Sequence, residues 1–379
     1  MLTLIKNAKV YREGGWRQSD ILLTGGVIDS IDDIIPCPTS NTAVIDAEGR
    51  HAIPGYIDQH VHITGGGGEG GFLTQVPPMR PDAPVKAGVT TVVGLLGTDG
   101  ATRSIKNLVA KTKALKEFGL TAYCLTGNYN YPSPTLTGSV LDDITFIEEI
   151  IGVKIAISDH RGPNMSKEEL IKLASDARVA GLLAGKAGIV HLHTGKGKSN
   201  LDMLFEIIKE TDIPVTVFRP THLAHCLDDA VRFAKEGGYI DFTCSAGNPA
   251  KRAGTIIKAM EQAPEHLVTI STDSNGSMPK WNDKKEMIGI GAGKIDSMPE
   301  NVAAMVTAHG FPLERAILPA TKNIAGALRL YPKKGVLAPG SDADITLLGD
   351  DLLPDTVFAG GKLMMKNKEM QVHAYFEDI

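Results

Sequence analysis

The sequence predicts an α/β fold: a (β/α)8 TIM-like barrel over residues 53–329, with a small β-sandwich assembled from both termini, residues 1–52 and 330–379. Three observations carry this expectation. Short apolar, β-branched-rich runs alternate with amphipathic stretches of helical period, which implies a parallel sheet covered by helices. The unit recurs eight times over about 270 residues, the count of a barrel rather than an open sheet. Alternating β-type segments with Gly-Gly turns occur at both ends of the chain and not between them.

The elements follow in order. Leu2–Ala8, Lys9–Gly15, Asp20–Thr24 and Val27–Ile31 read as strands, with Gly25-Gly26 as a turn. The eight barrel strands are Ile53–His60, Thr90–Leu96, Thr121–Tyr129, Gly152–Ser158, Gly188–His193, Pro214–Phe218, Ile240–Cys244 and Val268–Thr272. Ser104–Phe118, Lys167–Leu183, Leu201–Glu210, Leu227–Lys235 and Gly254–Gln262 supply helices between them. The tail returns to β-type runs at Asp344–Leu348, Asp355–Ala359 and Lys362–Met365.

Composition bounds the function. The chain has 379 residues, 42% hydrophobic and 22% charged, which excludes wholesale disorder. Its core is large enough to need no staple, so metal-ligating residues read as chemistry rather than scaffolding. A net charge of −5 and the lack of a basic stripe with interleaved aromatics argue against nucleic acid. Cys37, Cys124, Cys226 and Cys244 show no CxxC spacing and read as reduced thiols. The N-terminus turns polar too soon for a signal peptide, and no apolar run reaches the roughly 18 residues of a membrane span. A cytoplasmic protein with no membrane partner is the expectation.

The chemistry gathers at strand ends. His60 and His62 are two apart at the end of the first barrel strand, so both point to one side and can chelate one ion. A glycine-rich loop, Thr64–Gly71, follows and allows close backbone approach to a ligand. Lys154 interrupts the apolar run Val153–Ile157, where a charge is costly. One reading packs its stem inward and sends its ammonium to a carboxylate at the barrel mouth. In the other, burial neutralises the amine, which takes up CO2 as an anionic carbamate able to bridge two cations. His193 ends strand five, His222 follows strand six, and Asp273 ends strand eight. His191 lies deeper than His193 and reads as barrel filler. Ligand-type residues thus fall at the carboxyl ends of several strands, the face on which barrel enzymes place their sites.

These residues, with Pro54–His62 and the returning stretch Lys334–Ile345, make the chain resemble the amidohydrolase superfamily. Within it the chain is most similar to the isoaspartyl (β-aspartyl) dipeptidases, through His62–Gly70, Gly94–Asp99, Gly127–Tyr129, Ser158–Gly162 and Asp273–Ser277. The resemblance implies two Zn2+ ions, other divalent ions being acceptable, held by His60, His62, Lys154, His193, His222 and Asp273. It also implies that Lys154 is carboxylated and bridges the pair. It assigns Glu69 and Thr98 to the substrate's α-amino end, Arg161 and Ser277 to its carboxylate end, and Tyr129 to the carbonyl under attack. The family pattern has an arginine three residues after the sixth-strand histidine; His225 stands there instead, without arginine's permanent bidentate fork.

The implied reaction is hydrolysis of a β-aspartyl isopeptide bond by a water acidified towards ~7 between the ions. Asp273 and Tyr129 are the expected catalytic residues, Asp273 moving the proton and Tyr129 stabilising the oxyanion. His225 joins Glu69, Thr98, Tyr129, Arg161 and Ser277 as expected substrate contacts. A cyclic amidase of the hydantoinase or dihydroorotase kind shares the same ligands and stays open, as does an N-acyl amino-acid deacylase. A catalytically silent assembly protein is the non-enzyme reading. The expected partner is a small molecule or dipeptide, and the resemblance implies a homo-oligomer.

Overall fold

A computed structural model of the chain describes residues 2–284 and 286–374, so the last five residues of the predicted C-terminal segment lie outside the described region. The N-terminal strands are β1 (Leu2–Arg12), β2 (Gly15–Thr24), β3 (Val27–Asp32), β4 (Ala43–Asp46) and β5 (His51–Pro54). The central strands are β6 (Tyr56–Val61), β7 (Val89–Gly94), β8 (Thr121–Gly127), β9 (Ile150–Ile157), β10 (Ile189–Thr194), β11 (Phe218–Thr221), β12 (Ile240–Thr243) and β13 (Val268–Ser271). A hairpin, β14 (Ser277–Trp281) and β15 (Met287–Ala292), precedes the returning β16 (Ile345–Leu348), β17 (Pro354–Ala359), β18 (Lys362–Lys366) and β19 (Glu369–Met370).

The two ends of the chain share one nine-stranded sheet rather than the two facing sheets of the expected sandwich. The cause is the length of β1, which has room for two partners along one edge: it pairs with β4 and then β5, and with β2 on the other side. A bulge between Ile5 and Ala8 bends this strand without ending it. The two segments expected at Leu2–Ala8 and Lys9–Gly15 are therefore mostly one strand, and the reversal falls at Glu13-Gly14, both with positive φ. Ile5, Val10, Ile21, Leu23, Ile345 and Phe358 bury a common cluster between these strands.

The central strands run in sequence order. β6 to β11 form a six-stranded parallel sheet, and β12 and β13 form a parallel pair. A parallel bridge between Val61 and Ser274 links the pair back to β6, and His62 N donates to Ser274 O at 2.8 Å. Across the other gap the link is made by side chains: Thr221 Oγ1 on β11 donates to Asp241 Oδ2 on β12 at 2.6 Å. These strands are almost wholly buried on both faces, as a helix-covered parallel sheet requires.

Two expected strands change. Ile53–His60 divides at Gly55: β5 joins the terminal sheet and β6 enters the central one. Gly55 packs so closely that a Cβ there would lie 2.3 Å from Thr90 Oγ1. The sixth strand is Phe218–Thr221 rather than Pro214–Phe218; Val215–Val217 instead forms a short 3-10 turn. Pro220 is tolerated because β11 ends its ladder, where a missing N–H breaks no pairing. The helices Ile105–Phe118 and Lys167–Ala184 start at Ser104 and Ser166, the latter with a reciprocal Glu169 capping box. The helix expected over Gly254–Gln262 begins earlier, at Pro249, capped by Asn248. No described helix is long and apolar enough to cross a membrane.

Candidate metal centre and substrate cleft

Strand alternation sets the first ligand pair. His60 and His62 are both buried at the end of β6, and each points Nε2 at Asp273 Oδ1, at 3.4 and 3.0 Å. The potential ligand atoms of these three residues all lie within 4.8 Å of one another. His60 Nδ1 pairs with His191 Nε2 at 2.9 Å, which fixes the ring with its other nitrogen facing Asp273. His191 is thus an orienting partner as well as barrel filler.

The remaining donors surround this trio. The His222 ring lies 4.9 Å from that of His60 and 4.6 Å from that of His193. Its Nδ1 is anchored on Thr243 Oγ1 at 2.5 Å. Lys154, on β9, is fully buried. Burial pushes its ammonium pKa down to about 7, against opposing pulls from Asp273 and Asp241. Burial, then Lys154, holds His60 well below the ordinary imidazole range; burial, then His193, does the same for His222. Neutral imidazoles are the form that binds metal.

Lys154 Nζ, His222 Nε2 and His62 Nδ1 are buried without hydrogen-bond partners. Each such atom costs about 1–3 kcal/mol if nothing satisfies it. Histidine nitrogens and a carboxylate converging in this way fit a divalent ion of the zinc type. A carboxylated Lys154 would add a second anionic ligand where the amine now has none. Glycines leave the rings room: a Cβ on Gly97 would meet His62 Cε1 at 2.7 Å, and one on Gly276 would meet Asp273 Oδ1 at 2.4 Å.

His193 is held differently from the other ligand candidates. Its Nδ1 pairs with the Tyr129 hydroxyl at 2.6 Å and its Nε2 with Asp159 Oδ2 at 2.7 Å. To bind an ion it must give up one of these partners. Burial keeps the Tyr129 phenol well above its ordinary pKa, so it remains an O–H donor.

The expected substrate contacts converge on one oxygen. Glu69 Oε1 accepts from Ser277 Oγ at 2.6 Å, Arg161 Nη1 at 3.1 Å and Thr98 Oγ1 at 3.3 Å, and Glu69 Oε2 is buried without a partner. Arg161 directs Nε and Nη2 to the two oxygens of Asp159, at 3.1 and 2.8 Å. Burial alone would raise the Asp159 carboxyl; the His193 hydrogen bond and then Arg161 hold it far below its usual range. His225 stands apart from this group, exposed, with Nδ1 on the His222 carbonyl at 2.9 Å. A cleft of about 1110 Å³ is lined by His193, His222, Asp273, Arg161, Ser277 and His225.

Three features escaped the sequence reading. Asp159 holds both His193 and Arg161, and its position two residues before Arg161 was the available signal. Arg103 pins the glycine-rich loop by donating to the carbonyls of Thr64, Gly66 and Val76. The hairpin β14–β15 brings in Ser277 and sets Trp281 against His160, with ring centres 5.0 Å apart. Ser158, His222 and Asp273, just beyond the ends of β9, β11 and β13, all have positive φ. Non-glycine residues in that region cost about 1–3 kcal/mol each, and such strain clusters at functional sites.

An α/β fold with a histidine–carboxylate cluster at the carboxyl ends of its central strands suits metal-assisted hydrolysis. A sequence model described as the Amidohydrolase family matches residues 52–364, and the chain belongs to that family. A crystal structure of the β-aspartyl dipeptidase of Fervidobacterium islandicum AW-1, in complex with β-Asp-Leu, is 37% identical, with a TM-score of 0.93 over 99% of this chain and 100% of that one. A second structure of that enzyme is 36% identical, with a TM-score of 0.90. The dihydroorotase of Staphylococcus aureus (strain Mu50) is 25% identical over 73% of this chain. The match spans 63% of that relative's own length. D-hydantoinase, at 16% identity and a TM-score of 0.69, shares the fold.

Proposed function

We propose that the protein hydrolyses the isopeptide bond of β-aspartyl dipeptides as a binuclear zinc enzyme built on a closed (β/α)8 barrel. The observation that carries this reading is the Glu69 carboxylate, held by Ser277, Arg161 and Thr98 beside the metal-ligand group, with one buried oxygen left for a substrate ammonium. The likeness to a structure that holds β-Asp-Leu supports the same substrate class.

His60, His62, His193, His222 and Asp273 would hold the ions, with carboxylated Lys154 between them. When bound, the pair supplies an acidified water and polarises the scissile carbonyl. The chain's own residues do the rest. Glu69 pairs with the substrate ammonium, and Arg161 with Ser277 fixes a carboxylate. Tyr129, released from His193, donates its O–H to the developing oxyanion. An Asp273 carboxylate oxygen receives the proton of the attacking water and delivers it to the leaving amine. The same reading makes the protein a cytoplasmic homo-oligomer acting on small peptides.

The test is turnover by zinc-loaded protein of β-Asp-Leu, dihydroorotate, hydantoin and N-acetyl amino acids. Hydrolysis of β-Asp-Leu is the expected result. Turnover of the ring compounds with none of the isopeptide would move the protein to the cyclic amidases, and no hydrolysis at all would favour an assembly role.

A further inference from the structure

An isoaspartyl dipeptide carries one ammonium and two carboxylates, one on the aspartyl half and one on the departing amino acid. Glu69 answers the ammonium. Arg161 serves at most one carboxylate, because its Nε and Nη2 are already on Asp159 and its Nη1 is on Glu69. The second carboxylate therefore needs another cation along the same cleft.

The cleft supplies candidates there. Its wall beyond His222 is formed by His225, Ser245, Asn248, Lys251 and Arg252. His225 and Lys251 are exposed, and the His225 ring is tied back to the His222 carbonyl. Arg252 differs from both. It is half-buried, on the first turn of the helix Pro249–Gln262, and its guanidinium has no hydrogen bond or ion pair with any described residue. Two other buried or half-buried arginines do have acceptors: Arg219 donates to the carbonyls of Phe218 and Ala327, and Arg103 to those of Gly66 and Val76. A half-buried guanidinium that no protein acceptor occupies keeps its charge and favours a planar anion that can take two of its donors. Lys280, on the hairpin, also lines the cleft and adds positive charge to it.

We propose that Arg252 binds the C-terminal carboxylate of the departing amino acid, which makes the protein selective for dipeptides with a free C-terminus. The assignment rests on the β-aspartyl dipeptidase reading above. His225 offers no fork-shaped cation, and Arg252 supplies one to the same cleft.

The test compares β-Asp-Leu with β-Asp-leucinamide, which lacks only the terminal carboxylate, using wild-type, Arg252→Gln, Arg252→Lys and Lys251→Ala proteins loaded with zinc. Removal of a charge-assisted contact predicts that R252Q raises KM for β-Asp-Leu roughly ten- to hundredfold, with little change in kcat. The amide should be a poor substrate for wild-type protein and no poorer for R252Q. R252K should fall between wild type and R252Q, and thermal melting of each variant shows that the fold is retained. An R252Q effect equal on both substrates, no R252Q effect, or an equal effect of K251A would overturn the assignment while β-Asp-Leu hydrolysis by wild-type protein still stands. No wild-type turnover of either compound would instead overturn the dipeptidase reading and this assignment with it.

Discussion

Ser277 donates its hydroxyl to Glu69 Oε1 at 2.6 Å, across 208 residues of sequence. The contact ties the hairpin β14–β15 to the glycine-rich loop after β6, and Arg161 meets the same oxygen. Glu69→Gln keeps the shape but removes the charge proposed to face a substrate ammonium. KM for β-Asp-Leu should rise roughly ten- to hundredfold, the size of a lost charge-assisted hydrogen bond. Steady-state kinetics decide this, and an unchanged KM would detach Glu69 from the substrate.

Lys154 has the buried amine with no partner. Lys154→Met should lower the metal content below that of wild type and reduce kcat by at least roughly a hundredfold, since the proposed bridging ligand is gone. Elemental analysis reads the first effect. Intact mass under native conditions should show one added CO2 on wild-type protein and none on the variant. Equal metal content in both would remove Lys154 from the ligand set.

Gly97 has no unusual φ, so its role is the space it leaves for His62. Gly97→Ala places a methyl group 2.7 Å from His62 Cε1, and the ring must move. Metal affinity should fall about ten- to hundredfold, as when a ligand's orientation is disturbed. Competition with a chromogenic chelator measures it, with thermal melting expected to shift little.

Lys334 lies between Asp342 at 2.9 Å and Asp344 at 2.5 Å, almost fully buried. Burial opposes its charge, but Asp344 and Asp342 outweigh it and hold the ammonium above its ordinary range. Lys334→Met leaves two carboxylates without their cation and should cost about 3–5 kcal/mol. A raised folded pKa means the stabilisation is complete below the unfolded value of about 10.4 and is lost as pH rises through the folded one. The difference in denaturation midpoint between wild type and variant should therefore be steady near neutrality and narrow in strong alkali. A difference that widened there would contradict the sign.

Much of the architecture was legible because period and punctuation agree with it. Six of the central strands lie within two residues of the expected runs, since buried parallel strands read as unbroken apolar segments. Phe218–Thr221 did not, because Arg219 and Pro220 look unlike a strand; what makes them one is an edge position, which is a tertiary fact. At the site, His60, His62 and Asp273 were readable from their places at strand ends, and the structure brings them together. Asp159 was passed over because its importance comes from two partners, His193 and Arg161, that only the fold aligns on it. Arg252 lies on a helix face where nothing in local sequence distinguishes a lining arginine from a solvated one.

β5 lies between β1 and β16 in the terminal sheet, and only Gly55 separates it from the strand that carries His60. On a ribosome, β1 emerges first and can pair with β5 at once, but β16 arrives almost 300 residues later in the chain. Until then the segment leading into the ligand pair has one open edge, and the Asp344 carbonyl that accepts from Gly55 N has not been made. A chain truncated before residue 345 would thus contain every residue of the proposed ligand set and still lack the strand that anchors the first of them. Metal capture during synthesis should therefore come late, after the tail has returned to close the sheet around β5.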